Sequence, residues 1–244
     1  TAFLSTHTGG FEGFTFLDMT DEMSKVADHW ASLGLTFQAV YSGFLGSERQ
    51  IGVVENFICR FRGPDTVVVV DPVMGDYGRV YQTYTAAMCN GMARLAELAD
   101  GITPTLTEAA LLRGQPYGTL PAGEAGLREI TERLSLGGRR SVVLTGASLA
   151  PGRTGAVCFD ARTGKTEAVQ TAYVAHEFHG TGDVFSSVLT GALVRGESLS
   201  SAAGEAAAFV RACAERTAAE DLPMREGVDF EPLLGLLIPG KETV

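Results

Sequence analysis

The run Thr66-Val67-Val68-Val69-Val70-Asp71 decides the fold. Four consecutive β-branched apolar residues leave no polar side for water. The strand they form must therefore be covered on both faces, as strands of a parallel sheet between helices are. Ser141-Val-Val-Leu-Thr145 is a second buried run of this kind, and shorter strands are expected at 37–41 and around Ile102. Helical periodicity fills the intervals. Met23, Val26, Ala27, Trp30 and Ala31 make one apolar stripe over 21–33, with Asp21 and Glu22 in the first turn and Gly34 as a stop. Ser47-x-x-Gln50 reads as a capping box ahead of Ile51, Val54, Ile58 and Phe61, and Gly63-Pro64 closes that helix. Further helices are expected over 84–98, from a second capping box at Thr105-x-x-Glu108 to Leu112, around Leu127, Ile130 and Leu134, from Asp183 onward, and over 201–217. Residues 156–159 and 168–174 flank Asp160-Ala-Arg-Thr-Gly164, the composition of a hairpin turn. Strands alternating with helices predict an α/β fold of three αβα layers around a mostly parallel central sheet. No repeat, low-complexity tract or linker divides the chain, so a single domain over 1–244 is expected.

Composition narrows the function. An apolar share of 45% suffices for a full core, and a net charge of −10 disfavours nucleic acid and anionic membrane as partners. No apolar run reaches the ~20 residues of a membrane span. Cys59, Cys89, Cys158 and Cys213 are scattered, without a C-x-x-C pair, as expected of a chain in the reducing cytoplasm.

In sheets of this class, ligands bind at the carboxyl ends of the strands. That puts Asp71, Thr103 and Thr145 on one rim. The turn Gly180-Thr181-Gly182-Asp183, which opens an apolar-faced helix, offers backbone amides to an anion. Asp183 reads either as a first-turn acid complementing the helix dipole or as a base facing a proton donor beside a phosphate. Asp71-Pro-Val-Met-Gly-Asp76 carries two carboxylates at a strand end; they suit a magnesium ion that keeps its waters and bridges to phosphates, or simply cap a turn. Gly75 is expected to allow the chain to turn back there. Glu108 completes a capping box and also lies near the strand end at Thr103, where a metal-water or phosphate role is open to it, and the two roles are compatible. His7 and Thr8, in a glycine-rich loop with Phe11 and Phe14, suit a polar aromatic ligand or a solvated loop. Three patterns are decoys. Gly164-Lys165-Thr166 lacks the earlier glycine of a P-loop, Gly180-x-Gly182-x-x-Phe185 lacks the third glycine of a dinucleotide fingerprint, and His176-x-x-His179 has no third metal ligand nearby.

Four stretches in register, Ser5-Thr-His-Thr-Gly-Gly10, Asp71-Pro-Val-Met-Gly-Asp76, Ile102-Thr-Pro-x-x-x-Glu108 and Gly180-Thr-Gly-Asp183, resemble the pyridoxal/pyridoxamine kinases of the ribokinase-like superfamily. The resemblance implies the ribokinase-like fold and transfer of the ATP γ-phosphoryl group to the 5′-hydroxymethyl of a B6 vitamer. It implies Asp183 as the base and the amides of Gly180, Thr181, Gly182 and Asp183 as an anion hole. Asp71, Thr103, Glu108 and Thr145 are implied along the nucleotide, Asp76 and Glu108 near Mg2+, and His7, Thr8, Gly9 and Phe44 at the substrate ring. A monovalent cation and a homodimer are further expectations. Two departures stand out: Thr105 replaces a usual Asn, and Phe44 a frequent Tyr. The resemblance also implies a strand, a substrate-contacting loop and a helix ahead of Thr1, so a single domain incomplete at its N terminus is expected. The alternatives are a hydroxymethylpyrimidine (phosphate) kinase, which usually carries Cys in place of Asp183 and lacks the His-Thr-Gly-Gly loop, and a non-catalytic pyridoxal phosphate binder.

Overall fold

A computed structural model describes residues 2–6, 11–175, 178–220 and 224–238. In chain order the elements are β1 (Ala2–Leu4), β2 (Phe16–Asp18), α1 (Thr20–Ser32), β3 (Ala39–Ser42), α2 (Glu48–Phe61), β4 (Val67–Val70), β5 (Gly75–Asp76), β6 (Arg79–Val80), α3 (Ala86–Glu97), β7 (Gly101–Ile102), α4 (Leu106–Leu112), α5 (Gly123–Leu134), β8 (Ser141–Thr145), β9 (Arg153–Asp160), β10 (Lys165–Ala172), α6 (Thr181–Val194) and α7 (Leu199–Ala219). Short 3-10 turns lie at Tyr117–Thr119, Met224–Glu226 and Glu231–Leu237.

The main sheet runs β10-β9-β8-β7-β4-β3. β3, β4, β7 and β8 are parallel, in line with the valine run, whereas β9 and β10 are antiparallel. The expected hairpin is thus the sheet's antiparallel edge, and its register pairs Lys165 with Asp160 and Ala172 with Arg153. Alternation along the strands explains the three layers. Val142, Leu144, Val157 and Phe159 belong to a core shared with α2, α3, α4 and α5, while Val143, Ala156 and Cys158 belong to a second core with α6 and α7. Both sets are buried, so the strands read as continuously apolar.

Helix starts follow the local chemistry. Ser47, Thr85, Thr105 and Ser198 each accept a bond from a backbone N–H in the first turn of their helices. Gln50 reaches beyond its helix start: its Oε1 accepts the Gly46 amide at 2.9 Å and its Nε2 donates to Thr20 Oγ1 at 2.9 Å, which ties α2 to the start of α1. The stripe of α1 is less covered than its periodicity suggests. Ala27 is buried, but Val26 and Trp30 are exposed, and Trp30 rests on Phe37 and Phe57 at ring distances of 5.6 and 6.1 Å. Two small elements carry no periodicity of their own, the β1–β2 ribbon and the two-residue hairpin β5–β6.

Candidate active site

Asp71 stands immediately after β4, buried, its N–H donating to Ser42 O at 2.8 Å, so the parallel ladder fixes the residue it ends on. Its Oδ2 accepts from Ser186 Oγ of α6 at 3.3 Å, and Ser186 Oγ lies 3.0 Å from Thr103 Oγ1 just past β7. Thr145, at the end of β8, donates from both its N–H and its hydroxyl to Pro104 O, at 2.9 and 3.3 Å. Three strand ends therefore meet on one rim, as expected, and α6 is fastened to two of them.

Glu108 completes the capping box and also holds the neighbouring loop. Its Oε2 accepts the Thr105 amide at 2.8 Å, Thr105 Oγ1 accepts the Glu108 amide at 3.3 Å, and the capping box is complete. Its Oε1 accepts the Met74 amide at 2.8 Å, so this carboxylate, 2% exposed, also holds the loop between Asp71 and Asp76. Thr105 Oγ1 donates to Gly75 O at 3.2 Å and the Gly78 amide to Thr107 Oγ1 at 2.8 Å, which completes the seam between that loop and α4. The chain reverses at Tyr77 and Gly78, not at Gly75. Gly75 is needed for a different reason, since a Cβ there would lie 2.2 Å from Arg79 O. Asp76 accepts the Tyr77 amide on Oδ1 at 2.8 Å.

The turn before α6 begins earlier than the sequence suggests. Gly180 is the N-cap in the left-handed region, at φ 84°, so the helix starts at Thr181 and the first helical bond is from Val184 N–H to Gly180 O. The amides of Thr181, Gly182 and Asp183 precede that bond and make up the open first turn. A Cβ on Gly182 would meet nothing within 4 Å, so its face is open to a ligand. Asp183 is exposed, and its Oδ1 is 3.5 Å from where a Cβ of Gly43 would sit. Beside it lies a cavity of about 480 Å³, walled by Val184, Val188, Phe209, Val228, Phe230 and Leu237 and edged by Gly180, Asp183 and Arg225. The Arg225 guanidinium stands 5.2 Å over the Phe11 ring.

The charges share one field. The Asp71 carboxyl is held well above the usual range by burial first, then by Glu108 and Asp183, with Ser186 and Thr103 opposing. Burial likewise raises Glu108, against the amides of Thr105, Met74 and Gly75. Tyr81 is pushed up to about 12 by desolvation and by Glu108, Asp76, Asp71 and Asp183. Such a concentration of negative charge suits a divalent cation. Among the described residues, however, no group of three His, Cys, Asp or Glu side chains is close enough to hold one unaided.

Phe44 lies beyond β3, exposed, its ring 6.1 Å from Tyr84. His7, Thr8 and Gly9 lie outside the described residues. Two polar residues of the site were not anticipated. Ser186 sits one helical turn after Asp183, and that spacing could have revealed it. Tyr41 looked like an ordinary strand residue.

The sequence matches the phosphomethylpyrimidine kinase family over residues 16–227. The pyridoxine/pyridoxal/pyridoxamine kinase of Bordetella bronchiseptica is 33% identical over 188 residues, covering 74% of this chain and 63% of that protein. The chain thus spans somewhat less than two thirds of this curated relative. A Bacteroides thetaiotaomicron protein provisionally named a phosphomethylpyrimidine kinase and crystallised with pyridoxal superposes with a TM-score of 0.89 at 38% identity, covering 97% of this chain and 83% of its own. Pyridoxal kinase from Lactobacillus plantarum gives 0.85 at 28% identity, with the same coverage of both chains.

Proposed function

The chain belongs to the phosphomethylpyrimidine kinase family, and from that premise we propose that it transfers the γ-phosphoryl group of ATP to the 5′-hydroxymethyl of pyridoxal, pyridoxine or pyridoxamine. The observation that carries this reading is Asp183, exposed in the open first turn of α6 while Ser186 anchors that helix to Asp71 and lies beside Thr103. Phosphoryl transfer is mostly positioning and charge stabilisation. Asp183 takes the proton of the acceptor hydroxyl, whose oxygen bonds to the γ-phosphorus as the bond to the β-phosphate oxygen breaks. The amides of Gly180, Thr181, Gly182 and Asp183 receive the charge on the moving group. The apolar cavity beside Gly180 suits the flat base of the nucleotide. Thr103 and Thr145 lie along the phosphates. Mg2+, when bound, would neutralise the β- and γ-phosphates, with Asp71, Asp76 and the spare lone pairs of Glu108 as its nearest carboxylates. Phe44 lies on the substrate side, to which the family resemblance also assigns His7, Thr8 and Gly9.

A hydroxymethylpyrimidine kinase is the second reading, favoured by the family name itself and by a 29% identical Haemophilus influenzae relative named for that activity. Asp183 favours the B6 vitamers, since the pyrimidine kinases usually carry Cys there. The exposed Phe3, Phe16 and Leu17 of the β1–β2 ribbon (68, 50 and 61%) suit a homodimer contact, and four free cysteines suit the cytoplasm.

The test is ATP-dependent phosphorylation of pyridoxal and hydroxymethylpyrimidine side by side, in wild type and Asp183→Asn. Wild type is expected to prefer pyridoxal, and the variant to lose about 10²–10⁴-fold in kcat. Equal rates in the two proteins would remove Asp183 as the base. Preference for the pyrimidine would reverse the order of the two readings.

A further inference from the structure

Tyr41 is the third residue of β3, and its side chain leaves the strand on the side opposite Val40, toward α6. Its hydroxyl is buried and has no hydrogen-bond partner among the described residues. The Asp71 carboxylate and Ser186 stand beside it. Burying a phenol hydroxyl without a partner is costly, so such a group calls for an explanation.

Gly43 supplies the second observation. A Cβ there would lie 3.1 Å from Tyr41 Oη and 3.5 Å from Asp183 Oδ1. The hydroxyl and the carboxylate thus both face the Cβ position of Gly43, which is unfilled because residue 43 has no side chain. Burial, then the charges of Asp71 and Asp183, hold the Tyr41 phenol far above its ordinary value, so it keeps its proton throughout the working range. Tyr41 therefore enters the site as a neutral donor.

An alcohol oxygen placed between these two groups would give its proton to the carboxylate and accept one from the phenol. We infer that Tyr41 Oη donates a hydrogen bond to the acceptor oxygen that Asp183 deprotonates, which makes Tyr41 a second residue in direct contact with the reacting hydroxymethyl group. The inference rests on the kinase reading above. The Tyr41 proton is not transferred. It fixes the direction of the acceptor oxygen's lone pairs while Asp183 removes the hydroxyl proton, and so holds the oxygen in line with the phosphorus.

Tyr41→Phe removes only the hydroxyl, and three readouts are needed: kcat/KM for pyridoxal, KM for ATP, and Tm. The expected result is a fall of about 10–100-fold in kcat/KM for the acceptor. KM for ATP should stay within twofold and Tm should be equal or higher, because the variant no longer buries an orphan hydroxyl. An acceptor kcat/KM within twofold of wild type would overturn the assignment and leave the kinase reading standing. So would a fall accompanied by a lower Tm and a raised KM for ATP, which would mark a packing role. A wild type that phosphorylates neither pyridoxal nor hydroxymethylpyrimidine would overturn the kinase reading and the Tyr41 assignment with it.

Discussion

Asp71 shows what a site of this kind costs its protein. It is buried beside Glu108 and near Asp183, and only hydroxyl groups oppose the resulting repulsion. Its folded pKa lies above the unfolded value, so its contribution to stability is fully present below the ordinary carboxylate range and is lost as pH rises through the folded value. Glu108 has the same sign. Ligand-free protein is therefore expected to lose stability from both groups as pH climbs from acid toward neutrality, and Mg2+ with nucleotide to restore it. Asp71→Asn keeps an oxygen for Ser186 and removes the charge. It is expected to raise Tm at pH 8 while lowering kcat, with a smaller gain at pH 5; each kcal/mol appears as about 2–4 °C in a chain of this size. Thermal melts at the two pH values, with and without Mg2+, check this, and a lower Tm at pH 8 would refute it. Gly180 is a different kind of demand. Its left-handed conformation lets α6 begin two residues before its aspartate, which brings the amides of Thr181 and Gly182 into the same open turn.

Among the elements, α4 has the most placed upon its first turn. Thr105 caps it, accepts the Glu108 amide and donates to Gly75 O, so one side chain serves both the helix and the acidic loop. Thr105→Ala is expected to cost about 0.5–2 kcal/mol in a denaturant or thermal melt, and Thr105→Ser to recover most of it. No loss in the alanine variant would show that the cap is redundant. This box was legible from four residues because its chemistry is local. The same holds for β4 and β8, whose apolar runs declared a buried parallel sheet, and for Asp71 and Thr103, which follow directly from strand ends. The β1–β2 ribbon and β5–β6 were not legible, because three- and two-residue strands are too short to show a period and exist through their partners. Gly75 was recognised as special for the wrong reason: the sequence cannot reveal that Arg79 O would occupy its Cβ position. Tyr41 and Ser186 depend on contacts across the fold. Ser186 meets Asp71 over a separation of 115 residues, beyond the reach of any local pattern.

At the scale of the whole molecule, the surface is uneven. A net charge of −10 keeps most of it solvated, yet Phe3, Phe16 and Leu17 stand out together on the small ribbon. Light scattering coupled to size exclusion is expected to give twice the mass of one chain, and Leu17→Asp to give a single chain. A wild-type mass of one chain would remove the homodimer. The bond between Ser186 and Asp71 has a consequence in time as well as in space. A ribosome makes the strand that ends in Asp71 early and α6 late, and at about 5–20 residues per second the two are separated by on the order of ten seconds of synthesis. During that interval the nascent chain carries Asp71 without its tether and has neither Asp183 nor the open amides of the first turn of α6. A chain assembled in this order has no complete candidate site until α6 has been made.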